Sequence, residues 1–173
     1  MQVSFSKVHM WSKAILLGLF AGCLLQSFIF ERTIITGRSM MPTLLHDEQL
    51  IINKAIYLFR EPRRGDLVVL CYLQEPGYEI IKRVIAVAGD TVAISDGVVY
   101  LNNQPLLETY TLEAAAQDFP QVSVPQGTVF VLGDNRNRSD DSRLALIGFI
   151  PTKNIIGSAI LRLYPLDRFG WIE

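Results

Sequence analysis

The chain has 173 residues, half of them hydrophobic, and a formal net charge of −1. That length allows one domain with a sizeable core and a short additional segment. The near-neutral balance excludes the basic field that a nucleic-acid binder carries. Cys23 lies in an apolar run and Cys71 in a strand-like one, which argues against a disulfide between them. His9 and His46 are too few and too far apart for a zinc site, and separately no metal or organic cofactor is expected.

Residues 14–30 (AILLGLFAGCLLQSFIF) form 17 positions without a charge, the short end of what crosses a bilayer as a helix. Lys7 and Lys13 precede the run and Glu31 and Arg32 follow it. The positive-inside rule puts residues 1–13 in the cytoplasm and residues 31–173 on the outer side. A cleaved signal peptide is the first rival, but no small-residue cleavage site follows Phe30. The lipoprotein-like run Phe20-Ala21-Gly22-Cys23 is the second, yet the residues after Cys23 stay apolar. The expectation is an uncleaved single-pass anchor in a lipid bilayer.

Next comes Gly37-Arg38-Ser39-Met40-Met41-Pro42-Thr43-Leu44. Pro42 fixes its own φ and disfavours helix at Met41, so an extended, stiff segment is expected. A serine on a stiff segment can act as a nucleophile if a base reaches it. Ser39 comes only nine positions after Phe30, at most about 30 Å of chain. Ser39 therefore works close to the membrane.

Beyond Leu44 short β-like runs alternate with turn signals. Strands are expected over residues 49–53, after the acidic turn His46-Asp47-Glu48, and over 67–73. Residues 54–59 read as either a brief helix or a strand, and Pro62-Arg63-Arg64-Gly65-Asp66 as a turn. Glu75-Pro76-Gly77 breaks the second strand, and residues 78–88 (YEIIKRVIAVA) make the most buried one. Residues 91–95 and 98–101 flank the hairpin dipeptide Asp96-Gly97. Asn102-Asn103-Gln104-Pro105 is a further turn, and a short helix is expected over 111–118. Strands over 128–132 and 155–163 enclose the polar loop 133–143 (GDNRNRSDDSR). The fold expected is a mainly β domain with few short helices behind one transmembrane helix.

Lys82 is the anomaly. Strand alternation puts it on one face with Ile80, Val84 and Ala86. If that face turns inward, desolvation lowers the lysine pKa and yields a neutral base able to take a serine proton. The competing reading is a lysine that snorkels to solvent at a sheet edge. A Ser-His-Asp triad would have to use His46, which sits beside Asp47 and Glu48 in a turn that reads as solvated. In loop 133–143, Asp134, Asp140 and Asp141 stand among Arg136, Arg138 and Arg143, so it is either a solvated loop or one stiffened by internal ion pairs. A calcium loop would need alternating acidic ligands and a distal glutamate, which it lacks.

Four stretches together resemble type I signal peptidase, the membrane-anchored serine–lysine family. They are Ser-Met-Met-Pro-Thr-Leu at 39–44, Arg-Gly-Asp-Leu-Val-Val at 64–69, Lys-Arg-Val-Ile-Ala-Val-Ala-Gly-Asp at 82–90, and the loop 133–143. They stand in the family's order, behind an anchor in the family's place, and the resemblance covers nearly the whole chain, sparing residues 102–124. The resemblance implies a signal-peptidase-like β domain that cleaves exported preproteins after a small residue, at Ala-X-Ala type sites. It implies Ser39 as nucleophile, with its N–H stabilising the oxyanion, and Lys82 as general base. Ser139 would orient the Lys82 amine, with Asp141, Arg143 and Asp134 supporting the loop. Ile35, Met40, Leu44 and Ile81 would line shallow pockets for small side chains. Where some members carry a serine as second oxyanion donor, this chain has Gly37, which leaves that donor's identity open. Signal peptides and the lipid bilayer are the partners implied, and the chain is expected to act as a monomer. A self-cleaving repressor would need a DNA-binding domain where this chain has its apolar run. A catalytically silent tethered adaptor would be indifferent to loss of the Ser39 hydroxyl.

Overall fold

The computed structural model describes residues 5–71 and 77–172; the side chains of residues 5–8, 14, 21 and 23–25 fall outside that description. The apolar run, apart from Phe30, belongs to one helix, α1 (Phe5–Ile29), of 25 residues. Met10, Trp11, Ile15, Leu16, Leu17, Leu19, Phe20 and Phe28 stand exposed on it. Among the described residues, no helix is long and apolar enough to cross a membrane. Several positions of the expected anchor, 14–30, are among those whose side chains are not described.

The helix passes directly into β1 (Phe30–Ile34), where the sequence suggested only a tether. Then follow β2 (Gln49–Asn53), β3 (Leu67–Cys71) and β4 (Glu79–Val87). Next come β5 (Thr91–Ser95), β6 (Val98–Leu101), β7 (Gln104–Pro105) and β8 (Phe119–Ser123). The chain ends with β9 (Thr128–Leu132), β10 (Ile150–Pro151), β11 (Ile155–Tyr164) and β12 (Gly170–Trp171). The undecided segment 54–59 holds a single 3₁₀ turn, Ile56–Leu58. Part of the break expected at 75–77 lies outside the described residues.

The large antiparallel sheet runs β1-β2-β11-β3-β4-β9-β10, with β12 beside β11. The small one runs β7-β6-β5-β8. Ile85, Ala86, Phe130 and Leu132 of the large sheet pack with Val92, Ile94 and Val99 of the small one, which joins the two. The β5–β6 turn forms as expected, with Asp96 and Gly97 both at positive φ, the geometry a two-residue hairpin demands.

Four expectations need correction. The segment 111–118 is irregular rather than helical. Eight residues do not repay helix nucleation by themselves, and the Asn137 side chain ties them down instead. It donates to Ala114 O (3.0 Å) and accepts from Ala116 N (2.8 Å). Glu48, expected in a solvated turn, is buried against Arg162 (2.9 Å) and Arg168 (2.7 Å), while His46 and Asp47 do stay exposed. Ala86 does not share a face with Val84. The pairing of β4 with β9 shifts register between them, so Val84 and Ala86 enter different core clusters. The fourth concerns the turn that carries Ser39.

Candidate active site

Residues 38–44 form a tight turn, not an extended segment. The Met41 N–H donates to Arg38 O (3.3 Å) and the Leu44 N–H to Met40 O (2.9 Å), and the Met41–Pro42 peptide is cis. Proline at 42 still blocks a helix. Packing decides the rest: Met40 and Leu44 are both buried beside Ile35, Leu50 and Leu67. Two apolar side chains three or four residues apart can enter one core only if the backbone between them folds back. Ser39, next to the buried Met40, is thereby held at the surface of that core and is only partly buried.

Lys82 comes to it from the first half of β4, paired to Val68 of β3. Its Nζ lies 2.9 Å from Ser39 Oγ and donates to Ile81 O at 3.2 Å. The side chain is 3% exposed, so it does not snorkel. Burial among apolar neighbours pushes the ammonium pKa down from 10.5 to about 8, while the charges of Asp141, Asp140 and Asp134 pull it back up. At that value a large share of the amine is neutral in mildly alkaline water and able to accept a proton from a hydroxyl at hydrogen-bonding distance.

The loop 133–143 is an internal brace rather than a solvated surface. Asp134, Asn135, Arg136, Asp141 and Ser142 are all buried. Asp134 takes a two-pronged contact from Arg83 (2.9 and 2.8 Å) and accepts from Thr43 Oγ1 (2.5 Å). Because Arg83 follows Lys82 and Thr43 follows Ser39 by four residues, these contacts register the Ser39 and Lys82 segments on each other. Asp141 accepts the Gly133 N–H (3.0 Å) and two Arg143 nitrogens (2.8 and 2.9 Å). Its carboxylate oxygens are thus used by the loop itself. Gly133 is required by space: a Cβ there would come within 2.6 Å of Ser39 O. Ser139 makes no hydrogen bond to Lys82; its Oγ is buried without a partner.

Two residues that sequence reasoning missed belong to this brace. Glu108 accepts from both terminal nitrogens of Arg136 (2.5 and 2.6 Å), and Arg136 Nε donates to Gly133 O (3.1 Å). Tyr110 donates to Glu108 (2.8 Å), and its ring lies 3.9 Å from the Arg83 guanidinium. Both sit in the stretch 102–124 that no motif covered. A single acid and a single aromatic among turn residues give no local signal.

An open cleft passes over Ser39 and Lys82. Residues 33–36 line one side, residues 78–82 the other, and Met40 and Val69 lie between. Among the described residues, β1 pairs within the large sheet only with β2, and β9 meets β4 only from Arg83 onward. β1 and residues 79–82 of β4 therefore each present a backbone edge of the kind that accepts an extended peptide. Ile35, Met40 and Ile81 line the cleft. Leu44 does not: it is fully buried and packs behind the wall. Gly37 lies at the rim, exposed, with open space where a side chain would be.

A family model described as "Signal peptidase, peptidase S26" matches residues 8–164. The chain is 43% identical over 163 residues to a probable signal peptidase I-1 of Synechocystis, covering 90% of this chain and 82% of that protein. It is 35% identical to a signal peptidase I of Bacillus licheniformis, covering 91% and 89%. Among solved structures, a signal peptidase I from Enterococcus faecalis is similar with a TM-score of 0.50 at 32% identity. That match covers 57% of this chain and 97% of the other.

Proposed function

The chain belongs to the signal peptidase family, peptidase S26, and from that premise we propose that it removes signal peptides by serine–lysine chemistry at the outer face of a membrane. The observation that carries this reading is the buried Lys82 amine 2.9 Å from the Ser39 hydroxyl in an open cleft.

The substrate lies extended in the cleft, pairing with the free strand edges, and its small side chains before the cut sit on Ile35, Met40 and Ile81. A shallow apolar wall favours Ala-X-Ala type sites because larger side chains would meet the Met40 and Ile81 surface. Neutral Lys82 takes the Ser39 proton as the oxygen attacks the scissile carbonyl. The Ser39 N–H receives the oxyanion. The Lys82 ammonium then protonates the departing amine, leaving the acyl chain on Ser39. The mature protein leaves with that amine; Lys82, neutral again, then deprotonates a water that hydrolyses the ester, which releases the signal peptide as the acid and restores the Ser39 hydroxyl. Ser139, buried without a partner, is the group to receive a hydrogen bond from the Lys82 ammonium when it forms. No metal or organic cofactor enters these steps.

Membrane attachment is the second part of the proposal. Among the described residues, eight large apolar side chains stand exposed on α1, a surface of the kind that lipid covers. Ile29 O at the helix end accepts the Lys54 N–H (2.8 Å), so helix and domain are joined without slack. β1 spans only about 17 Å, which keeps Ser39 near the lipid surface where a signal peptide's cleavage site emerges. Ser39→Ala and Lys82→Met, assayed as purified full chains in detergent or liposomes with a preprotein carrying an Ala-X-Ala site, should each show no cleavage while remaining folded. Cleavage retained by either variant refutes the mechanism.

A further inference from the structure

Ser39 is held by its backbone as well as by the turn, and one residue holds both adjoining peptides. The Asn135 N–H donates to Ser39 O (2.9 Å) and the Asn135 side-chain Nδ2 donates to Arg38 O (3.1 Å). Arg38 O belongs to the same planar peptide as the Ser39 N–H and points the opposite way. Among the described residues no acceptor takes that N–H. Resting on the serine–lysine reading above, we propose that Asn135 is a positioning residue for the oxyanion-binding peptide. Its side-chain amide fixes the 38–39 peptide and strengthens its N–H as a donor to the developing negative charge.

The surroundings leave this task to Asn135. On the N-terminal side Gly37 is exposed and has open space about it, so no packing there resists rotation of the next peptide. Arg38 is exposed as well. The turn contributes one weaker contact to the same carbonyl, from Met41 N at 3.3 Å. Asn135 itself is 3% exposed and cannot swing away. Its Oδ1 is buried without a partner, so the amide orientation is set by donation through Nδ2; the reverse would press oxygen against the Arg38 carbonyl. A donor on a peptide oxygen polarises the whole amide and makes its N–H more positive. A fixed, polarised N–H aimed outward stabilises a tetrahedral oxyanion without reorganisation during the reaction. The inference also answers the absence of a serine at Gly37: the strength of the remaining donor is reinforced from behind.

The test uses the full chain in detergent with Asn135→Leu and Asn135→Ala. Leucine fills the space and keeps out a substituting water, while alanine only removes atoms and so guards against misfit. Both keep the backbone N–H to Ser39 O. The expected result is a roughly ten- to hundredfold fall in kcat with KM within about twofold, below the loss from deleting a direct oxyanion donor. A peptide aldehyde ending in alanine, which forms a tetrahedral adduct on Ser39, should lose affinity by a similar factor. Binding of the substrate peptide to a Ser39→Ala background should not change when Asn135→Leu is added, and the midpoint of the pH–rate profile should stay put. Unchanged turnover in a folded variant overturns the proposal. So does a loss in which KM or the pH midpoint moves with kcat, or unfolding of both variants, since these assign Asn135 to holding the loop as a whole. Cleavage by Ser39→Ala, in contrast, would refute the serine–lysine reading itself.

Discussion

Replacing Lys82 by methionine should stabilise the fold while removing activity, because the native state carries an ammonium where water is excluded. The Lys82 pKa is pushed down from 10.5 to about 8 by burial. Each pH unit of difference between folded and unfolded states corresponds to about 1.4 kcal/mol, so the protonated lysine costs the native state roughly 3 kcal/mol. The sign follows from proton counts. Below about pH 8 both states hold the proton and the full cost applies. Between about 8 and 10.5 the unfolded chain still holds a proton that the native state has shed, so native stability gained from this residue rises with pH. Above 10.5 neither is charged and the cost is gone. Methionine is similar in length and apolar, which removes the cost at every pH. Urea unfolding of wild type and Lys82→Met, followed by circular dichroism in the same detergent, should show the variant more stable at pH 7. That gap should shrink towards zero by pH 10.5. The difference between the two proteins cancels the titration of all other groups. A variant less stable than wild type at pH 7, or a gap independent of pH, would refute the claim that Lys82 is desolvated.

Three further outcomes follow from the same geometry. Cleavage should rise about tenfold per pH unit below the Lys82 pKa and level off above pH 8 to 9, because only the neutral amine is a base; stopped-time assays from pH 6 to 9.5 check this, and a falling rate counts against it. Asp140→Asn should move the midpoint to lower pH, since the exposed Asp140 charge favours the ammonium, and the shift should fade as salt is raised. Glu108→Ala leaves the Arg136 guanidinium buried and unpaired behind Gly133. It should cost about 3 kcal/mol in urea unfolding and lower kcat, although Glu108 touches neither Ser39 nor substrate.

Local chemistry accounts for what could be read in advance. Alternating and continuous apolar runs between Gly, Pro, Asn and Asp clusters carry strand positions wherever the signal depends on neighbours alone. That is why β2 to β6, β9 and β11 were legible, as was the hairpin at Asp96-Gly97. β1 was hidden because Phe30 closes an apolar run that reads as helix, and β8 because Pro120 sits inside it. The residue types at 39 and 82 likewise raised the right question, since a lysine in an apolar strand demands an explanation. Its answer lay elsewhere in the chain. Whether the strand face turns inward depends on the sheets packed against it, and the partner pairs Arg83–Asp134 and Arg136–Glu108 join residues far apart in the chain. The turn at 38–44 shows the same division. Proline dictated that no helix forms there, but only the core, by taking both Met40 and Leu44, decided that the chain doubles back and brings the Ser39 hydroxyl to the amine.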